Sequence, residues 1–130
     1  MKTILIMAGG TGGHVYPALS VAKSLMNHGI GVVWLGTRSG LESSVVPGEG
    51  IDMEWIDVHG IRRSGWLRKI GSPVMLIRAM LQVYTAIRRR KPIAVLGMGG
   101  FVAGPGGLVA WLMRLPLLIH EANTRAGITN

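Results

Sequence analysis

The 130-residue chain is long enough to bury one ordinary core, and it holds no cysteine, which excludes disulfides and thiolate metal sites. Fourteen Lys and Arg against six Asp and Glu give a formal net charge of +8, which favours phosphates or anionic lipid headgroups as partners. With one Phe and two Tyr there is no aromatic–basic interleaving to stack bases, so no nucleic acid is expected.

The apolar run Ile4 to Ala8 is too short for a secretory leader, and a cytoplasmic location is expected. "KTILIM" is a predicted first strand, followed by glycines and by a helix that Pro17 opens, with Leu19, Val21, Ala22, Leu25 and Met26 at helical spacing and Gly29 just past its end. "GVVWLG" reads as a second strand, Thr37 to Val46 as a short helix closed by "PGEG", and "DMEWIDV" as a third strand. A basic loop from His59 to Ser72 leads to a helix over Pro73 to Arg90; "IAVLGM", "GPGGLVAWLM" and "PLLIHE" then read as strand, helix and strand. Strands that alternate with helices, several of them continuous apolar runs, predict an α/β fold with a doubly wound, Rossmann-like parallel sheet. The uncharged stretch Pro92 to Met113 contains six glycines and two prolines, which argue for a strand, a glycine loop and a short buried helix rather than a membrane span.

In such a sheet ligands bind beyond the carboxyl ends of the strands, where the glycine loops gather. "AGGTGGHVYP" places Gly9, Gly10, Gly12 and Gly13 between strand and helix, where backbone amides and the helix terminus can cradle an anion. The dinucleotide fingerprint fails, because Val15 stands at its third glycine and "GTRSG" offers Arg38 where an acid is needed; no Gly-Lys-Ser/Thr follows the glycines either. His14 sits at the mouth of this loop, either as a helix-start packing residue or as a general base, since an imidazole titrates near neutral pH. "HEAN" sets His120, Glu121 and Asn123 at the same sheet edge. His120 is expected to satisfy buried backbone, and Glu121 competes with His14 for the role of base. No His-Glu-x-x-His or second acidic cluster is present, so no metal is expected.

Val74, Ile77, Met80, Leu81 and Tyr84 form a stripe read first as core, with Ile70 just upstream. Met75, Leu76 and Val83 make the other side apolar as well, so one face is free to lie on a lipid surface. Arg62, Arg63, Arg68, Lys69, Arg78, Arg88, Arg89, Arg90 and Lys91 include no acid in their span and are read as one connected basic region.

"MAGGTGGHVYPALSVAKSL", "VLGMGGFVAGPGGLVAW" and "IHEANTRAGITN" together resemble the amino-terminal half of the bacterial peptidoglycan glycosyltransferases that make lipid II. The resemblance covers essentially the whole chain. It implies a two-domain GT-B enzyme that transfers N-acetylglucosamine from UDP-GlcNAc to the 4-hydroxyl of lipid I, the undecaprenyl-diphosphate-linked muramyl pentapeptide. The transfer is inverting and needs no cofactor or essential metal. By the same resemblance residues 1–130 are the acceptor- and membrane-binding domain at the cytoplasmic face of the inner membrane, and the donor-binding domain is missing, so the chain alone is expected to be inactive. Thr11, Gly12 and Gly13, with Asn123, would contact the donor. Gly97, Gly99 and Gly100, with Gly104, Gly106 and Gly107, would hold the acceptor diphosphate. The membrane patch would comprise Ile70, Val74, Ile77, Met80 and Trp111, beside Arg68, Lys69 and Arg78. Two alternatives stand beside this: a membrane-binding subunit of a split glycosyltransferase, resembling that of dolichol-linked sugar assembly, and a dinucleotide-binding oxidoreductase domain.

Overall fold

The computed structural model describes residues 2–9, 12–56, 65–99 and 103–119. Five parallel strands, β1 (Thr3–Ala8), β2 (Gly31–Gly36), β3 (Asp52–Trp55), β4 (Ala94–Gly99) and β5 (Leu117–Ile119), form one sheet in the order β3-β2-β1-β4-β5. The connecting helices are α1 (Gly12–Asn27), α2 (Glu42–Val45), α3 (Gly65–Arg90) and α4 (Ala103–Leu112), with a 3₁₀ turn at Pro47–Glu49. The expected doubly wound architecture is observed.

Strand side chains alternate between two cores. Leu5, Met7, Val33 and Leu35 meet Ala79, Val83, Ala86 and Ile87 of α3 and Val109 and Ala110 of α4. Ile6, Ala8, Val32 and Trp34 meet Val15, Ala18, Leu19 and Ala22 of α1. The central strands are therefore buried on both faces, which is why they read as unbroken apolar runs. Gly29 ends α1 at φ +79°, where its amide and that of Ile30 bond to the carbonyls of Met26 and Leu25, both at 3.0 Å.

Two helix starts differ from the sequence reading. Helix α1 begins at Gly12 rather than Pro17, and α3 begins at Gly65 rather than Pro73, so each proline lies inside its helix. A proline there removes one amide donor, and both helices continue because packing on the sheet outweighs a single lost bond. Among the described residues no helix is long and apolar enough to cross a membrane; the tested stretch Pro92 to Met113 contains β4 and α4.

Candidate functional site

Strands β1 and β4 lie side by side, yet α1 leaves β1 toward one face and α4 leaves β4 toward the other. The connections diverge there, which in a doubly wound sheet marks the ligand crevice beyond the carboxyl ends of the strands, and the amino termini of α1 and α4 flank this edge. Trp34 Nε1 donates to the Ala8 carbonyl at 2.8 Å and pins the end of β1. His14 occupies the first turn of α1, half-buried, and its ring lies over Gly99, the last residue of β4. A Cβ on Gly99 would stand 2.6 Å from His14 Cδ2 and 2.9 Å from Nε2, and Gly99 has φ +109°. Only glycine meets both demands. The first and second glycine motifs, 85 positions apart at His14 and Gly99, thus converge on one point.

The other glycines divide by task. Gly97 is buried within β4, paired with Met7 and Ile119. Gly106 is buried where α4 crosses β1, and a Cβ there would collide with the Met7 sulfur. Gly107 packs near the Leu117 side chain, and Gly104 belongs to the first turn of α4. Gly12 and Gly13 open α1 at the crevice. Thr11, Gly100, His120, Glu121 and Asn123 lie outside the described residues. Among the described residues no three His, Asp or Glu side chains converge as metal ligands.

One residue that sequence reasoning passed over shapes the same edge. Glu42 is fully buried and accepts hydrogen bonds from the Thr37 amide at 2.8 Å and the Thr37 hydroxyl at 3.3 Å. A Cβ on Gly36 would come within 2.6 Å of its side chain, and one on Gly40 would strike its carboxylate. The turn after β2 is therefore wrapped around this carboxylate. The available signal was a lone acid following two glycines, Gly36 and Gly40, in the turn after β2.

On α3 most of the stripe read first as core is exposed, as the membrane patch implied by the resemblance requires. The buried residues are Ala79, Val83, Ala86 and Ile87, and the small alanines let the helix approach the sheet. The stripe read as core points outward: Val74 is 71% exposed, Ile77 59% and Leu81 62%. Met80 is half-buried, and Trp111 of α4 is 68% exposed. Between α3 and α4 runs an apolar groove of about 420 Å³ lined by Ile77, Met80, Leu81, Tyr84, Val109, Leu112 and Met113. Arg78 lies exposed on the same helix; Arg68, Lys69 and Ile70 belong to its first turns.

The basic region is also less uniform than it reads. Arg89 binds Glu54 at 2.7 Å, and Arg90 binds Glu54 at 2.6 Å and Asp52 at 3.3 Å. The hydrogen bond with Glu54 raises the Arg90 pKa above the usual arginine value against the opposing effect of burial, and the charges of Glu54 and Asp52 add to it. The end of α3 is thereby anchored to β3, with part of its charge neutralised locally.

The fold and this edge define a doubly wound α/β domain, a class in which ligands bind beyond the carboxyl ends of the strands at the switch point. More particularly, the chain belongs to the glycosyltransferase family 28 N-terminal domain, which it matches over residues 4–130. The UDP-N-acetylglucosamine--N-acetylmuramyl-(pentapeptide) pyrophosphoryl-undecaprenol N-acetylglucosamine transferase of Thiobacillus denitrificans is 54% identical over 129 residues, covering 99% of this chain and 35% of that protein. The enzyme of the same name from Methylococcus capsulatus is 56% identical over 129 residues, 99% of this chain and 36% of its own. The crystal structure of Acinetobacter baumannii MurG superposes with a TM-score of 0.86 at 45% identity, covering 100% of this chain and 38% of that one. A calicheamicin glycosyltransferase, with a TM-score of 0.69 at 17% identity over 99% of this chain and 34% of its own, shares the fold. The chain spans about 35% of the length of the curated relatives it matches. Membership of this family sets aside the dinucleotide-dependent oxidoreductase.

Proposed function

We propose that this chain is the acceptor- and membrane-facing part of an inverting glycosyltransferase that moves N-acetylglucosamine from UDP-GlcNAc to lipid I, forming lipid II at the cytoplasmic face of the inner membrane. The observation that carries the reading is the contact of His14 with Gly99 in the switch-point crevice, in a chain 54% identical to a transferase bearing that name.

The acceptor 4-hydroxyl oxygen attacks the anomeric carbon as the bond from that carbon to the diphosphate oxygen breaks. The hydroxyl proton passes to His14, and UDP departs. What supports this role is the close approach of the His14 ring to Gly99 at the end of β4, which gives the imidazole a defined position there. The departing diphosphate carries developing negative charge, and the amides that open α1 at Gly12 and Gly13 supply preorganised positive potential, about half a charge at the helix terminus. Thr11 and Asn123 are assigned to the donor, and Gly99, Gly100 and Gly104 to the acceptor diphosphate. Glu121 is the competing base. The uridine-recognising domain that the resemblance implies is assigned to the part of the relatives' length that this chain does not span, so the 130 residues alone are expected to transfer no sugar.

The α3–α4 surface supports a membrane-facing role. Val74, Ile77, Leu81 and Trp111 expose apolar area beside Arg78, a combination that partitions onto anionic bilayers without spanning them. The test of the catalytic reading uses the full-length protein with both substrates saturating. His14→Ala is expected to lower turnover by about a hundred- to ten-thousandfold with donor binding retained. If turnover survives in His14→Ala and is lost in Glu121→Gln, the base is Glu121.

A further inference from the structure

The turn after β2 carries a cation whose position is fixed twice over. From behind, the buried Glu42 carboxylate accepts from the Thr37 amide at 2.8 Å and the Thr37 hydroxyl at 3.3 Å, which holds the backbone one residue before Arg38. From the side, the exposed Arg38 guanidinium lies over the half-buried Trp55 ring at the end of β3, 4.7 Å from its centroid. Stacking orients the guanidinium plane and leaves the donors on its edge open to a carboxylate, which takes two parallel hydrogen bonds from such a fork. The pair lines a pocket of about 450 Å³ against α3. Of the other charged residues there, Arg89 and Glu54 are bound to each other and Arg78 is already engaged, so Arg38 is the cation that the described lining residues offer to a ligand.

Reach selects that ligand. Trp55 ends β3 and Gly99 ends β4 at the same carboxyl edge of the sheet, with β2 and β1 between them. Three strand spacings of about 4.8 Å put the two ends about 14 Å apart. A peptide extends by about 3.3–3.6 Å per residue, so five residues span about 17 Å. The Thiobacillus denitrificans relative is named for an N-acetylmuramyl-(pentapeptide) substrate, and the acceptor proposed above carries such a peptide. With the acceptor sugar at His14 and its diphosphate toward α4, the peptide is long enough to bring its terminal carboxylate to the end of β3.

We propose that Arg38, stacked on Trp55, binds the terminal carboxylate of the acceptor's pentapeptide and so measures the length of that peptide. The inference rests on the acceptor-binding reading of the chain and deepens it by naming the part of the acceptor that the ends of β2 and β3 take.

The test uses the full-length protein with three water-soluble lipid I analogues: a pentapeptide acid, its terminal amide, and a tripeptide acid that reaches only about 10 Å. The wild type is expected to show a KM about tenfold lower for the pentapeptide acid than for either of the others, at equal turnover and equal donor KM. Arg38→Met, at an exposed position, is expected to raise the KM for the pentapeptide acid about tenfold and to leave the other two unchanged. Trp55→Leu, which alters no charge, is expected to raise it about threefold with the same selectivity. A wild type with one KM for all three analogues overturns the proposal, as does a loss in Arg38→Met that is equal on all three. A second readout needs no sugar transfer. N-acetylmuramyl pentapeptide free of lipid is expected to change the fluorescence of the wild type but not of Trp55→Phe, which keeps Trp34, Trp66 and Trp111. Such binding without transfer to any analogue would sink the transferase reading and leave the carboxylate site standing; transfer that ignores the peptide terminus would do the reverse.

Discussion

Gly99→Ala is the substitution most directly set by the geometry of the crevice. The added methyl would lie 2.6 Å from His14 Cδ2, where ordinary contact begins near 3.4 Å, so the ring must retreat by about 0.8 Å. Alanine at φ +109° is itself strained by about 1–3 kcal/mol, which sets the expected loss of stability. A misplacement of about 1 Å at a reacting group costs on the order of a hundredfold in rate, so turnover in the full-length protein should fall by about that factor with the donor KM little changed. The decisive assay is a double-mutant cycle on UDP release with both substrates saturating. With His14 already replaced by alanine there is no ring to displace, and adding Gly99→Ala should lower stability again but leave the residual turnover where it was. If the two losses in turnover multiply instead, Gly99 acts independently of His14, and the contact is packing without a positioning role.

Glu42→Ala removes a buried acceptor of two Thr37 hydrogen bonds and should cost about 3 kcal/mol by denaturant unfolding. Ile77→Ser with Leu112→Ser, both at exposed groove positions, should reduce partitioning onto anionic vesicles by at least about tenfold in a sedimentation assay while leaving unfolding unchanged. Neutralising Arg68, Lys69 and Arg78 together should cost roughly a hundredfold in the same assay at low salt and much less at high salt. Because the Arg90 pKa is raised, its contribution is fully present below the ordinary arginine value and is lost only as pH climbs through the higher folded value. The stability that Arg90→Met removes should therefore be the same at pH 7 and pH 10, as measured by urea midpoints.

Sequence reading located all five strands within a few residues; in the central ones burial on both faces leaves a continuous apolar run such as "ILIM" or "GVVWLG". It misplaced the starts of α1 and α3 because Pro17 and Pro73 look like first-turn prolines, and local chemistry does not show that packing can carry a helix through one missing donor. The core face of α3 was not legible for a related reason. Both sides of that helix are apolar, and what selects Ala79, Val83 and Ala86 for the sheet is their small size, a property of fit rather than of hydrophobicity. The basic run suffered from distance in sequence: Arg89 and Arg90 both meet Glu54, 35 and 36 positions upstream. A period-two reading of Asp52 and Glu54 would have placed both acids on one side of β3, but nothing in the sequence alone brings the end of α3 alongside. The approach of Gly99 to His14 was legible only as two glycine motifs at the same sheet edge; their contact is a product of strand order.

Helix α4 joins the two surfaces that the proposed activity requires. It starts four positions after Gly99 and ends with the exposed Trp111 and with Leu112 at the apolar groove, a run of ten residues or about 15 Å. Its amino terminus stands beside the end of β4, where an acceptor diphosphate would be neutralised, and its far end is apolar and exposed. A prenyl diphosphate lying along α4 would thus meet positive potential at one end and hydrocarbon at the other, without any change of fold. Gly106 makes this possible, since a side chain there would collide with Met7 and lift the helix off the sheet. Gly106→Val, which touches neither surface, should therefore weaken membrane partitioning and acceptor use together while sparing donor binding. If acceptor use falls with partitioning intact, the two surfaces are not coupled through α4.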